Sequence, residues 1–169
     1  MLPDLSRVVV LSNSTNPYSV VFVQSARRGA AALNIALDVA DASSVGNLNT
    51  EFRAISRNRP EAALVIADPF LARQRALIAE LMLEHRLPSI YAYHEHVVAG
   101  GLMAYMTAYY DIFRREAALI DKIFKGAKPG DLPVEPATRF ELAINLKTAK
   151  ALGLDVPLLL LERVDRVVE

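Results

Sequence analysis

Arg7-Val-Val-Val-Leu-Ser-Asn-Ser-Thr-Asn-Pro17 sets the architecture of this chain. Arg7–Leu11 is a short β-branched run, of the kind that fills a strand buried on both faces. Polar Ser12-Asn-Ser-Thr-Asn16 follows, and Pro17 stands at the first helical position behind an Asn cap. Strand, polar loop and helix make half of a β-α-β unit, and the pattern repeats along the chain.

The helix opened by Pro17 is expected to run to Leu33, and Ile35–Ala40 reads as a second strand. Asn47–Arg57 predicts a helix with Leu48, Phe52 and Ile55 on its apolar face. Ala62–Ala67 predicts a third strand that stops at Asp68-Pro69. Phe70–His85 is then a helix carrying Leu71, Leu77, Ile78 and Leu81 on its stripe, and Ser89–Tyr93 a fourth strand. Ala108–Lys125 reads as a long helix stopped by Gly126 and Pro129, and Gly130–Pro133 as a linker. Phe140–Asn145 predicts a strand and Leu146–Leu152 a short helix ended by Gly153. Strands alternating with helices of this length call for an α/β fold, with a mainly parallel sheet and right-handed crossovers.

Composition agrees and removes several functions. At 169 residues the chain suits one domain, taken as residues 1–169, with a proper core. Lys+Arg and Asp+Glu each total 19, so bulk charge draws the chain to neither nucleic acid nor an anionic membrane. The absence of Cys excludes disulfides and thiolate metal sites. Met1-Leu-Pro-Asp-Leu-Ser-Arg7 runs straight into the first strand with no export-signal pattern, and no stretch approaches a membrane span. If that start is genuine, the chain is expected in the cytoplasm.

In an open parallel sheet, ligands sit beyond the carboxyl ends of the strands where strand order reverses. With an order beginning 2-1-3-4, that point lies between the first and third strands. Three polar clusters then gather on one edge: Ser12–Asn16, Asp68, and Tyr93-His-Glu-His96. The first leads into a helix amino terminus, which favours an anion such as a carboxylate. Ser12, Asn13, Ser14 and Asn16 add side-chain donors and acceptors, and Asp68 offers the opposite charge to an ammonium group. Together they form a receptor for a zwitterionic amino acid; the plainer reading is that they cap helices and make turns.

Other chemistries fit less well. A phospho-acceptor role for Asp68 needs an acidic pair after the first strand, where Ser12-Asn13 stands. His94 and His96 lack a third metal ligand, and a solvated turn is the preferred reading of their segment. There is no Gly-Xaa-Ser-Xaa-Gly elbow, and Gly126-Ala-Lys-Pro-Gly130 is a helix stop and not a phosphate loop. No catalytic residue, metal site or cofactor is expected.

Seven motifs in order carry a resemblance. They are Ser12-Asn-Ser-Thr-Asn-Pro17, Ala67-Asp-Pro69, Leu87-Pro-Ser-Ile-Tyr91, Glu95-His-Val-Val-Ala-Gly-Gly101 and Met103-Ala-Tyr105. Ile123-Phe-Lys-Gly-Ala-Lys-Pro-Gly-Asp-Leu-Pro-Val134 and Phe140-Glu-Leu-Ala-Ile-Asn-Leu-Lys-Thr-Ala-Lys-Ala-Leu-Gly-Leu154 complete the set. The chain resembles the carboxyl-terminal lobe of the ABC-transporter substrate-binding family that includes bacterial tryptophan- and tyrosine-binding components. The resemblance implies a single three-layer α/β/α lobe, like a type I periplasmic binding protein. It implies non-catalytic recognition of a small molecule, an amino acid or related compound, with Tyr93, Glu95 and Tyr105 joining the site. Met106 replaces the glycine that commonly follows the family's tyrosine, which would crowd the hinge-side pocket. An ABC permease is the implied partner of a complete receptor, and the implied location is periplasmic or extracytoplasmic.

In that family the long helix and linker, here residues 106–135, ordinarily contact the first lobe. Ile112, Leu119, Ile120 and Ile123 therefore need another cover here, and a homodimer is expected, with exchange of carboxyl-terminal helices as one route. The alternatives are a remodelled half-protein that persists as an oligomer without transport function, and, more distantly, a flavodoxin-like enzyme.

Overall fold

The computed structural model describes the backbone of residues 1–169 and the side chains of all but residues 56 and 57. The chain runs β1 (Arg7–Ser12), α1 (Ser19–Ala32), β2 (Ala36–Asp41), α2 (Val45–Asn58), β3 (Ala62–Val65), α3 (Pro69–Arg73), α4 (Arg75–Glu84) and β4 (Ser89–Tyr91). It continues through α5 (His94–Val98), β5 (Met103–Thr107), α6 (Tyr109–Phe124), β6 (Phe140–Asn145), α7 (Leu146–Ala151), α8 (Leu158–Leu161) and β7 (Arg166–Val168). The strands form one sheet in the order β2-β1-β3-β4-β5-β6-β7. Every pairing is parallel except β5 with β6, where Tyr105 stands opposite Leu142. The α/β class, the mainly parallel sheet and the 2-1-3-4 beginning are those read from the sequence.

Packing follows from strand alternation and register. Val9, Leu11, Ala63, Val65, Tyr91, Ala104 and Met106 lie on one face, and all are buried. Leu48 and Phe52 of α2, Ile78 of α4 and Val97 of α5 join them in one core cluster. Fully burying each such side chain stabilises the fold by roughly 1.5–3 kcal/mol. Right-handed crossovers put α1 on the opposite face, where Val23 and Ala26 pack only partly buried. That second face thins out toward β5: Leu64, Ile90 and Met103 are half-buried, and Tyr105 is 55% exposed.

Four elements depart from expectation. Pro17 does not open the helix. Asn16 and Ser19 close a turn, in which the Ser19 N–H donates to the Asn16 C=O at 3.0 Å with Pro17 and Tyr18 at its centre, and α1 starts two residues later. The helix expected over 70–85 is divided at Gln74 into α3 and α4. The fourth strand ends at Tyr91, and His94–His96 lie on α5, neither a strand nor a solvated turn. Finally α8 and β7 add a last crossover parallel to β6 that the sequence reading did not include.

The long helix is where it was expected, and Gly126 ends it at φ +100°. None of its residues is buried. The returning segment holds α6: the Arg115 guanidinium donates to Thr138 Oγ1 at 2.7 Å and Pro136 C=O at 3.3 Å, and Arg139 meets Asp111 at 3.4 Å.

Gly101 is a tight point of the core. A Cβ there would lie 2.5 Å from the Tyr91 ring and 2.8 Å from the His96 carbonyl, whereas one at Gly29 would meet nothing within 4 Å. Gly101→Ala is therefore expected to lower stability by about 1–3 kcal/mol. Gly29→Ala, inside α1, should raise it by up to about 1 kcal/mol. Urea unfolding measures both; an unaffected Gly101→Ala midpoint would contradict this packing.

Candidate functional site

An open cleft lies beyond the carboxyl ends of β1 and β3, and the loops after β1, β3 and β4 all reach it. Its organiser is Asp68, which is 1% exposed. Oδ1 accepts the N–H groups of Phe70 and Leu71 at 2.8 and 2.9 Å and so caps α3. Oδ2 accepts the Asn16 amide at 2.8 Å and the Asn13 amide at 3.2 Å. Four donors satisfy a carboxylate withdrawn from water, which would otherwise be costly to bury. The group expected to meet an ammonium ion is thus occupied with joining the β1 and β3 loops.

Both asparagines are committed at their other ends. Asn13 Oδ1 accepts the N–H and hydroxyl of Thr15 at 3.1 and 2.7 Å, and Asn16 Oδ1 accepts the Tyr18 N–H at 3.0 Å. These side chain-to-backbone turns fix the loop's shape. Behind it, Asp41 accepts the Ser14 N–H at 3.0 Å and the Ser43 hydroxyl at 2.8 Å. Burial pushes the Asp41 carboxyl up, but donors from Ser14, Ser43 and Asn47 outweigh it and hold the pKa below the ordinary value.

The cleft's other wall is aromatic: Tyr18, Phe22, Phe70 and Tyr93 line it. Tyr93 starts a ladder of rings. It stacks on His96 (6.3 Å between centroids) and on Tyr109 (6.4 Å), His96 stacks on Tyr91 (4.6 Å), and Tyr109 on Phe113 (6.3 Å). Desolvation, then the charges of Asp68 and Glu95, raise the Tyr93 hydroxyl's pKa, so it is a neutral donor and acceptor.

Of the expected site residues, the structure brings Asn13, Asn16, Asp68 and Tyr93 to the cleft. Ser12 and Ser14 flank the same loop but do not line it: Ser12 is buried at the strand end and its carbonyl accepts the Ala42 N–H. Glu95 sits in the first turn of α5, solvent-exposed and 3.4 Å from His94. Tyr105 lies outside the cleft, in the middle of β5 and stacked on Phe140 at 5.4 Å, because strand alternation points it to the sheet face opposite that of Ala104 and Met106. Met106, expected to crowd the pocket, points into the core and leaves the cleft alone. Thr15, Tyr18, Phe22, Ser43, Phe70 and Arg73 line it without having been singled out from sequence. For Thr15 the signal was present, since it lies inside the polar run after the first strand.

Comparisons with known proteins come to the same architecture. The family model described as ABC transporter substrate binding protein matches residues 1–168. A conserved domain protein from Vibrio cholerae superposes with a TM-score of 0.87 at 23% identity, covering 98% of this chain and 56% of its own. An ABC domain in complex with L-Trp from Streptococcus pneumoniae gives 0.87 at 21% identity, covering 98% and 56%. The ligand-free, open structure of a substrate binding protein with adhesive properties from Clostridium difficile gives 0.79 at 20%, covering 98% and 55%. The chain thus spans little more than half the length of these structures. No curated protein matches.

Two outcomes test the site's construction. Asp68→Ala strips the α3 cap and both asparagine tethers, so it should cost about 2–4 kcal/mol by denaturation. His96 is 1% exposed. Burial lowers its pKa against the opposing pull of the Leu71 and Tyr93 carbonyls and Glu95. Below the unfolded value of 6.5 the unfolded chain takes up a proton that the folded ring refuses. Stability from this group is therefore complete above that value and lost as pH falls toward the folded-state pKa. Denaturation across that window should show the slope, and His96→Phe should flatten it; an unchanged slope would assign it elsewhere.

Proposed function

The chain belongs to the ABC transporter substrate binding protein family, and from that premise we propose that its cleft recognises a small solute without catalysis, as one lobe of an importer's receptor. The single observation that carries this reading is the cleft itself. Two rigid loops tied by Asp68 present hydroxyls and amides opposite an aromatic wall. Sites for small molecules combine an apolar lining with a few fixed polar groups in this way. An amino acid or related compound is the solute we favour, supported by the L-Trp complex of the Streptococcus pneumoniae neighbour. Asn13 and Asn16, held in place by Asp68, and Tyr93 form its receptor, with Ser12 and Ser14 in the same loop as the asparagines. An importer's permease is then the downstream partner, and the working location is extracytoplasmic. No helix among the described residues is long and apolar enough to cross a membrane.

A specific feature also favours association with a second copy. Phe113 and Phe124 of α6 are 63% and 85% exposed, and on the sheet Tyr105 and Phe140, stacked on one another, are 55% and 46% exposed. Apolar faces of this kind are normally covered. A reciprocal exchange, α6 of each protomer lying on the thin face of the other, would close both with two-fold symmetry. Residues 106–135 are the segment that would reach across.

Thermal-shift measurements against the amino acids, L-tryptophan and L-tyrosine included, test solute binding. At least one should raise the melting temperature, and Tyr93→Ala should weaken its affinity about tenfold, the loss of one aromatic contact. A panel with no stabilising member would overturn an amino acid as the solute. Light scattering at micromolar concentration should return a dimer; a clean monomer removes the exchange.

A further inference from the structure

The cleft holds an unspent charge. Asp68 is saturated by four donors, and Asp41 by the loop donors Ser14, Ser43 and Asn47. Glu95 is paired with His94 and does not line the cleft. Arg73, at the end of α3, does line it; among the described residues it has neither an ion-pair partner nor a hydrogen bond from its guanidinium. Its neighbour Arg75 differs on both points: it donates to the Ala72 carbonyl at 3.2 Å and stands outside the lining. Phe70 and Arg73 are three residues apart on one face of α3, so the cation rises beside the aromatic wall. The N–H groups at the start of α3 are consumed by Asp68 and leave nothing there for an anion.

We propose that Arg73 selects the solute of this cleft, its guanidinium holding the carboxylate of a small organic acid whose apolar body rests on the aromatic wall. A planar guanidinium matches a carboxylate as a two-pronged donor. One free cation suits a monoanion. Because among the described residues no acidic oxygen in the cleft is left free for a cation, an ammonium group on the solute is dispensable. An amino acid binds through its carboxylate, and the same skeleton without its amine binds as well. This rests on the cleft being the solute site.

The matched probes are hydrocinnamate and phenethylamine, which share a phenyl body and carry opposite charges. They are titrated into the isotope-labelled protein while backbone amide shifts are followed. Hydrocinnamate should perturb Asn16, Phe70 and Tyr93, and phenethylamine should not. Arg73→Gln should weaken hydrocinnamate at least about tenfold, the loss expected for a charge-assisted pair, while Arg75→Gln leaves it unchanged. Retained amide dispersion confirms that both variants are folded. Equal binding of the two probes at the cleft, or an unaffected Arg73→Gln, overturns the role of Arg73 and leaves the solute site standing. If neither probe perturbs the cleft, both readings fall.

Discussion

A buried carboxylate with four protein donors constrains everything at the functional end of this molecule. Asp68 leaves water almost entirely, and among the described residues it has no cationic partner. Its compensation comes from two backbone N–H groups of one loop and two side-chain amides of another. The loops cannot separate without exposing or orphaning that charge, so the cleft between them is preformed. The asparagines add to this: each spends its oxygen on its own loop and its nitrogen on Asp68. A network in which every member is satisfied is rigid, and rigidity at a binding site reduces the ordering a solute must impose.

A second constraint is the uneven cover of the sheet. One face is sealed by α2, α4 and α5, while the other is sealed by α1 only over its first strands. The helix that follows β5 buries none of its residues, and the chain returns antiparallel as β6. The same route between β5 and β6 exposes α6 and thins the cover over Tyr105. These are two results of one topological choice. The carboxyl-terminal return is anchored by polar contacts: Asn145 caps α7 and donates to the Val97 carbonyl, and Thr148 donates to that of Gly100.

Much of this was legible because local signals and burial agreed. The β-branched runs became the central strands, and Leu48, Phe52 and Ile55 became the inward face of α2. Gly126 and Gly153 both take positive φ at helix ends. The misses have physical causes. Nothing in the local pattern marks the break at Gln74, since neither Gly nor Pro interrupts that helical run. Asn16 resembled a helix cap, but Asp68, distant in sequence, claimed its amide, and the turn through Pro17 moved the helix start. Tyr105 was placed by motif, whereas its direction depends on strand register. Arg73 was invisible for a related reason: whether a cation is free depends on partners that only the folded chain brings near. The helix α8 and strand β7 were missed because four leucines and a three-residue strand give too short a period to read.

The ring ladder from Tyr91 to Phe113 has an optical consequence. The chain contains six tyrosines and no tryptophan, so its emission comes from phenols alone. Tyr93 faces the cleft and stacks on Tyr109, which lies at the root of α6. Phenols this close exchange excitation, and an indole arriving in the cleft would act as a sink for it. For an indole-bearing solute, phenol emission would therefore fall as the cleft fills, with no added dye.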